Sequence, residues 1–347
     1  MNVLSVFDGL SCGQIALNRA GIKYDDYFAS EIDKYAIKVT QSNYPNTIQL
    51  GDITQIKGGD LPKIDLILGG SPCQGFSFAG KGLNFDDPRS KLFFDYVRLL
   101  KECKPKYFLL ENVIMDQRSN DVISSILGEM YPEYVNQCEL FRVGRLEPIR
   151  INSALVSAQN RKRLYWTNIP NITQPKDKKI YLADIIENGI ADKDKSHCLD
   201  VNYFKGGKLK SYFEKHRRQL IFSKDELCHV GSADLKGADC IKRVYHALGK
   251  SPTLTTMQGG HREPKILCKD CIGKCIVDDK MQKDDNVVDV DNLTWRRLTP
   301  LECERLQTIS DGYTDHVSNT QRYRMIGNGW TVDVIAHIFK NINIIKV

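Results

Sequence analysis

No apolar run in the 347-residue chain approaches the ~18 residues needed to span a bilayer, which argues against a membrane-spanning helix. The start, Met1-Asn2-Val3-Leu4-Ser5-Val6-Phe7-Asp8, has no basic segment ahead of its apolar residues and meets an acid at once, so it does not read as a signal peptide. There is no internal repeat and no low-complexity tract. What is present looks globular: 41% hydrophobic and 27% charged residues supply a full core and argue against long disorder or a small stapled scaffold. At ~150 residues per domain the length suggests about two domains. Lys and Arg number 49 against 43 Asp and Glu, a net charge of +6 that permits a nucleic-acid partner without requiring one. The 11 cysteines are odd in number and scattered. Without a signal peptide they read as reduced thiols in a cytosol, so a cytoplasmic protein is expected and a single cysteine is free to act as nucleophile.

The first half alternates strand-like and helix-like stretches. Val3–Phe7 is an apolar strand, and a helix pattern runs from about Cys12 to Ala20 and stops at Gly21. Tyr27–Ser30 is a second strand, and Asp33 opens a helix that must end before Pro45. Ile64–Leu68 and Tyr107–Leu110 are further strands, with Leu92, Phe93, Tyr96, Val97 and Leu100 at helical spacing between them. This rhythm predicts an α/β fold with a mainly parallel sheet, whose ligands sit beyond the carboxyl ends of the strands. From about Pro175 to Asn292 the rhythm gives way to glycine turns and lysines. Order returns at Thr299-Pro300-Leu301-Glu302, a helix start with Pro at its first position and Glu three residues after the cap. A last amphipathic helix is expected to carry Val332, Ile335, Phe339 and Ile342.

Chemistry is therefore sought where strands stop. Asp8-Gly9-Leu10-Ser11-Cys12-Gly13 follows the first strand, but its glycines are spaced Gly9-x-x-x-Gly13 rather than G-x-G-x-x-G. That spacing argues against a pyrophosphate-bearing dinucleotide and favours a nucleoside cofactor. Glu31 stands where a carboxylate can take two ribose hydroxyls, and Asp52 where one can accept from an adenine amine. Singly these are ordinary turn acids; in order they suggest S-adenosylmethionine. Gly69-Gly70-Ser71-Pro72-Cys73-Gln74-Gly75 places a cysteine at the mouth of the same crevice, where a thiolate could be exposed as a nucleophile. The polar loop Phe76–Pro88, hinged by Gly80 and Gly82, suits a lid. Glu111-Asn112-Val113 ends the Tyr107–Leu110 strand with a carboxylate facing the crevice. Alternation in Gln159-Asn160-Arg161-Lys162-Arg163 points Arg161 and Arg163 to one side.

Taken in order, these pieces resemble the DNA (cytosine-5)-methyltransferases along nearly the whole chain. The matching segments are Phe7-Asp8-Gly9, Glu31, Asp52, Pro72-Cys73-Gln74, Glu111-Asn112-Val113, Gln159-x-Arg161-x-Arg163, Arg297-Leu298-Thr299-Pro300 with Glu302 and Arg305-Leu306-Gln307, and Gly327-Asn328-Gly329. The resemblance implies a Rossmann-like class I S-adenosylmethionine-dependent methyltransferase, with a catalytic domain of residues 1–174 and 293–347. Residues 175–292 would form an inserted, irregular target-recognition domain, in which Ser251–Thr256 looks like a short family motif. Implied catalytic residues are Cys73, Glu111, Arg161 and Arg163. Cys73 would add to carbon 6 of a flipped-out cytosine, Glu111 would serve ring nitrogen 3, and Arg161 would hold the ring carbonyl. The cofactor would lie among Phe7, Asp8, Gly9, Leu10, Ser11, Gly13, Glu31, Ile32, Asp52, Ile53, Pro72, Leu92 and Asn328. Double-stranded DNA, the implied partner, would meet Gln74, Ser77, Lys81, Arg89, Gln159, Lys208, Lys210, Arg217, Arg218 and Thr255. The run Gly327-Asn328-Gly329-Trp330-Thr331-Val332 departs from the bacterial form toward the vertebrate de novo branch, and no cofactor contact is assigned to Trp330.

Within the variable module, Tyr203–Arg218 holds six basic residues against Glu214, interleaved with Tyr203, Phe204, Tyr212 and Phe213, a pattern that fits a phosphate-contacting surface. Asp278–Asp291, with six Asp, would repel DNA and reads as a connector. Cys268-x-x-Cys271-x-x-x-Cys275 has zinc-like spacing but no clean second pair; Cys240, His229 or His261 would have to complete it, and free thiols with no metal are the favoured reading. A monomer acting on DNA, with or without a cognate restriction endonuclease, in a bacterial or phage-encoded setting, is expected. The competing activities are cytosine-5 methylation of transfer RNA by the same fold and a catalytically silent DNA-binding relative. The length of the variable module favours duplex reading.

Overall fold

In the computed structural model, the described residues are 1–70, 88–134, 144–215, 217–222, 229–232, 243–246, 265–267 and 295–342. Their centre is a seven-stranded sheet in the order β3-β2-β1-β4-β5-β7-β6. Strands β1 (Val3–Val6), β2 (Tyr27–Ser30), β3 (Ile48–Gln49), β4 (Leu66–Gly69) and β5 (Tyr107–Val113) run parallel. The last two, β6 (Ile149–Asn152) and β7 (Lys162–Thr167), form a hairpin-like pair, with β7 antiparallel to β5.

Strands β1, β2 and β4 are buried along their whole length because helices cover both faces. Alternate residues serve opposite cores. Leu66, Leu68 and Leu109 pack with α1 (Cys12–Ala20) and the C-terminal helix, whereas Ile67, Phe108 and Leu110 pack with α3 (Pro88–Cys103) and α4 (Gln117–Met130). Helix α2 (Lys34–Asn43) starts as its sequence predicts, with the Asp33 carboxylate accepting from the Tyr35 N–H. Gly13 lets α1 sit directly on the sheet: a Cβ there would lie 2.7 Å from Leu68 Cδ1.

Two strands differ from their sequence expectation. The fourth begins at Leu66 rather than Ile64; just before it, the Asp65 carboxylate accepts from the Asn2 N–H at 2.9 Å. The fifth continues through Glu111 to Val113, because β7 comes alongside and pairs Glu111 with Tyr165 and Val113 with Arg163.

Beyond β7 the chain makes α5 (Leu182–Ile185), α6 (Leu209–Lys215) and β8 (Leu220–Phe222), then a small sheet of β9 (His229–Ser232), β10 (Arg243–His246) and β11 (Lys265–Leu267). Strand β12 (Trp295–Arg297) returns to pair with β8. The expected insertion begins in a region whose packing is continuous with the sheet: Leu182, Ile185, Leu199, Tyr203 and Ile221 belong to the same apolar core as α1. A shift in composition at Pro175 marks where regular elements become sparse, not where a core ends.

The C-terminal part adds α7 (Pro300–Leu306), α8 (Asn319–Asn328) and α9 (Val332–Phe339). Thr299 and Glu302 form the expected reciprocal cap, Oγ1 of Thr299 accepting from the Glu302 N–H at 3.2 Å and Glu302 Oε2 from the Thr299 N–H at 2.8 Å. Glu302, fully buried, also receives two guanidinium contacts from Arg296 at 2.8 Å. Helix α9 ends at Phe339, short of Ile342, although Ile342 remains buried in the core. No helix among the described residues is long and apolar enough to cross a membrane.

Candidate active site

A crevice of about 920 Å³ opens at the carboxyl ends of β1, β2, β4 and β5. One end is built by the turns after β1 and β2. Phe7 adopts φ 57°, a left-handed conformation uncommon for a bulky residue, and Gly9 follows at φ 58°. This sharp turn presents the Gly9 N–H to the Glu31 carboxylate. Glu31 accepts three backbone N–H groups, from Gly9 at 2.8 Å and from Ile32 and Asp33 at 2.8 Å each. It is thereby a preset carboxylate at the end of β2, with acceptor capacity left over. Asp52 caps the turn Ile53–Gln55 by accepting from the Thr54 N–H at 2.9 Å, and Ile32, 76% exposed, leaves an apolar surface on the crevice wall.

Asp8 is buried, and its Oδ1 accepts from Tyr27 at 2.9 Å while Oδ2 has no hydrogen-bond partner. Burial pushes its carboxyl up to about 6, against the lowering effect of Ser5, Ser11 and Tyr27. An acid oxygen buried without a partner is costly. Cys12, which lines the same floor, is driven by burial up to about 12 and stays a thiol.

The other end of the crevice centres on Glu111. Its Oε1 lies 2.9 Å from Arg163 Nε in an ion pair, and its Oε2 accepts from Trp330 Nε1 at 3.1 Å. Burial works against the charge of Arg163, but Glu111, with Cys198 and Tyr165, outweighs it and raises its pKa. Gly70 closes the gap: a Cβ there would stand 2.9 Å from Trp330 Nε1 and 3.2 Å from Glu111 Oε2.

Arg161 and Arg163 do point to one side, both reaching Cys198 Sγ, at 3.5 and 3.9 Å. Their roles diverge. Arg161 is buried and donates to the backbone carbonyls of Leu199 at 3.1 Å, Gly329 at 2.9 Å and Gly327 at 3.4 Å. It ties the α8–α9 turn to the stretch after β7, so its guanidinium, expected at a ring carbonyl, is engaged by backbone, whereas Arg163 is the guanidinium beside Glu111. Gln159 is corrected as well. It has no exposed surface with which to meet DNA; its amide donates to Leu306 O and Gln307 Oε1, each at 3.2 Å, and accepts from the Leu199 N–H at 2.8 Å.

A family model described as C-5 cytosine-specific DNA methylase matches residues 1–344. The chain belongs to this family. As a DNA cytosine methyltransferase it is 30% identical to the orphan methyltransferase M.SPBetaI of Bacillus phage SPbeta, covering 99% of this chain and 97% of that protein. It is 28% identical to the type II methyltransferase M.FnuDI of Fusobacterium nucleatum, covering 99% and 94%. The fold is shared with the Entamoeba histolytica methyltransferase EhMeth, at a TM-score of 0.63, 16% identity and 99% coverage of both chains. It is shared also with a putative DNA modification methyltransferase of an Escherichia coli prophage, at 0.54, 20% identity and 98% of both.

In this methyltransferase the crevice is lined by Phe7, Asp8, Gly9, Glu31, Ile32, Asp52, Ile53, Leu92 and Asn328, with Glu111 and Arg163 at its other end. Leu10, Ser11 and Gly13 pack beneath its floor instead of lining it; Leu10 and Ser11 are fully buried. Arg217 and Arg218 line the far side, Arg217 paired with Asp200 at 3.2 Å and Arg218 donating to Gly206 O at 2.8 Å. Lys208 is exposed and away from the crevice. The aromatics of the basic segment are partly packing rather than surface. Tyr203 and Tyr212 are buried, the latter donating to Asp192 at 2.7 Å. Pro72, Cys73, Gln74, Ser77, Lys81, Thr255, Cys268, Cys271 and Cys275 lie outside the described residues, as do the side chains of Arg89 and Lys210. Cys198 is a site residue that the sequence did not single out, and Trp330 one that it named without assigning a contact. The unusual Gly329-Trp330 step was a signal for the latter. Nothing local marks Cys198, which reaches the crevice only through long-range packing.

Proposed function

We propose that the protein transfers a methyl group from S-adenosylmethionine to carbon 5 of a cytosine flipped out of a specific double-stranded DNA sequence, by way of a covalent bond between Cys73 and carbon 6. The observation that carries this reading is the pairing of Glu111 with Arg163 at one end of a crevice whose other end holds Asp8 and Glu31.

The residues fit S-adenosylmethionine. Asp8 offers an unpartnered, buried anionic oxygen to a cationic methionine portion, Glu31 is fixed for ribose hydroxyls, and Ile32 and Phe7 offer apolar surface to adenine. When bound, the cofactor supplies an electrophilic methyl group.

Carbon 5 of cytosine is a weak nucleophile, and adding a thiolate at carbon 6 makes it enamine-like. The Cys73 thiolate forms that bond. Glu111 holds a proton at ring nitrogen 3, which takes up the electron pair displaced by the addition, and Arg163 stabilises the ring carbonyl beside it. Carbon 6 is shielded in a stacked duplex, so the base must leave the helix to reach these groups. Carbon 5 then takes the methyl group, a base removes the carbon 5 proton, and departure of Cys73 restores the aromatic ring and the free thiolate.

The test uses the intact protein, a duplex carrying 5-fluorocytosine, and unmodified DNA read by bisulfite sequencing. The expected results are a covalent complex stable to denaturation, methylation at one sequence, and loss of both in Cys73→Ser. Wild-type methyl transfer by Cys73→Ser, or transfer to transfer RNA in place of duplex DNA, overturns the reading.

A further inference from the structure

We propose that Trp330 is a positioning residue of the methyl transfer: its indole N–H holds Oε2 of Glu111 and so fixes the orientation of the carboxylate that meets the base. The inference rests on the function proposed above and assigns a role at that site to a residue outside the expected set.

The geometry carries it in three steps. Trp330 Nε1 donates to Glu111 Oε2 at 3.1 Å, while Arg163 approaches Oε1 from β7. A carboxylate held at both oxygens from different elements has one orientation. The backbone that carries the indole is itself fixed. The Trp330 carbonyl accepts from Cys12 Sγ at 3.5 Å, and the preceding Gly329 carbonyl accepts from Arg161 at 2.9 Å and Gln307 Nε2 at 3.0 Å. The following Thr331 Oγ1 donates to Gln307 Oε1 at 2.8 Å and accepts from Ser153 at 2.9 Å.

The second step is the space left for the ring. Gly70, at the end of β4, has only hydrogen where a Cβ would stand 2.9 Å from Nε1. Backbone, indole and carboxylate thus meet closely at this glycine.

The third is position. Trp330 lines the crevice between the Asp8 floor and Glu111, and an edge of its ring lies 3.8 Å from where a Gly13 Cβ would stand. One side chain thus contacts the wall of the cofactor end and the carboxylate of the base end.

A double-mutant cycle in the full-length protein separates this role from simple wall-building. Trp330→Phe keeps an aromatic ring and removes the N–H. It is expected to lower kcat about tenfold or more, the scale of a lost hydrogen bond to a charged group, with the KM for S-adenosylmethionine changed by less than about threefold. In a Glu111→Gln background the same change is expected to cost less than about twofold, because its target charge is gone. Equal losses in both backgrounds, or a raised cofactor KM with kcat unchanged, overturn the proposal. Should Trp330→Phe fail to fold, Gly70→Ala displaces the indole from the opposite side and enters the same cycle. A wild-type protein that forms no 5-fluorocytosine adduct defeats the parent reading, whereas additivity in an adduct-forming enzyme defeats this one alone.

Discussion

Arg163 and Glu111 lie diagonally across the antiparallel β5–β7 pair, with Arg163 Nε 2.9 Å from Glu111 Oε1. Both side chains are nearly buried, so the pair is held by strand register rather than by side-chain search. That relationship ranks the two arginines of the Gln159-x-Arg161-x-Arg163 segment, and the ranking can be measured.

Arg163→Lys is expected to remain folded and to lose about 100-fold or more in kcat, since an ammonium cannot reproduce the planar donor set beside the carboxylate. Single-turnover methyl transfer to DNA is the measurement, with urea unfolding as the control for folding.

Arg161→Lys is expected to do the reverse in part. Arg161 joins the carbonyls of Leu199, Gly327 and Gly329, and a single ammonium on a shorter reach leaves buried acceptors unsatisfied. A loss of about 2 kcal/mol in urea unfolding is expected, on the scale of unpaired buried acceptors. An unchanged unfolding midpoint would place Arg161 at the substrate instead.

Asp8 makes the protein pH-sensitive in a defined direction. Its carboxyl is raised from 3.8 to about 6 by burial, so the folded state keeps a proton that the unfolded state has lost between those values. The contribution to stability is greatest below pH 3.8 and declines as pH rises through about 6. Asp8→Asn is therefore expected to stabilise the apoprotein at pH 7, by at most about 3 kcal/mol, and much less at pH 4. In the wild type, cofactor affinity should fall by up to about tenfold per unit below pH 6 as Asp8 loses its charge, and calorimetric titration of Asp8→Asn should show that dependence abolished.

Gly327→Ala tests the seam between α8 and the chain after β7. A Cβ at Gly327 would lie 2.3 Å from the Asp200 carbonyl oxygen, a backbone atom that cannot rotate away. A destabilisation of about 1–3 kcal/mol is expected by thermal or urea unfolding, the usual cost of overpacking. Wild-type stability would mean that the seam opens freely.

Much of this architecture was legible in the chain. The alternation of apolar strands with helices predicted the parallel sheet, and Asp33, Gly21 and the Thr299–Glu302 pair marked helix ends through local hydrogen bonding. Glu31, Asp52, Glu111 and the turn after β1 were recognisable because strand ends are local features, and the fold then brings them into one crevice. The register of β7 on β5 was not legible, since it joins residues about fifty positions apart and periodicity carries no information about a partner strand.

By itself, then, the sequence determined the fold class, the order of the elements and the side chains able to do chemistry at their ends. Only the tertiary structure decided how similar residues divide the work. Arg161 and Arg163 are two positions apart with the same side chain, yet one is surrounded by backbone carbonyls and the other faces a carboxylate. Trp330 joins Glu111 across 219 positions of chain. Such assignments depend on which groups burial leaves within hydrogen-bond reach, a property of the packed molecule and not of any local stretch.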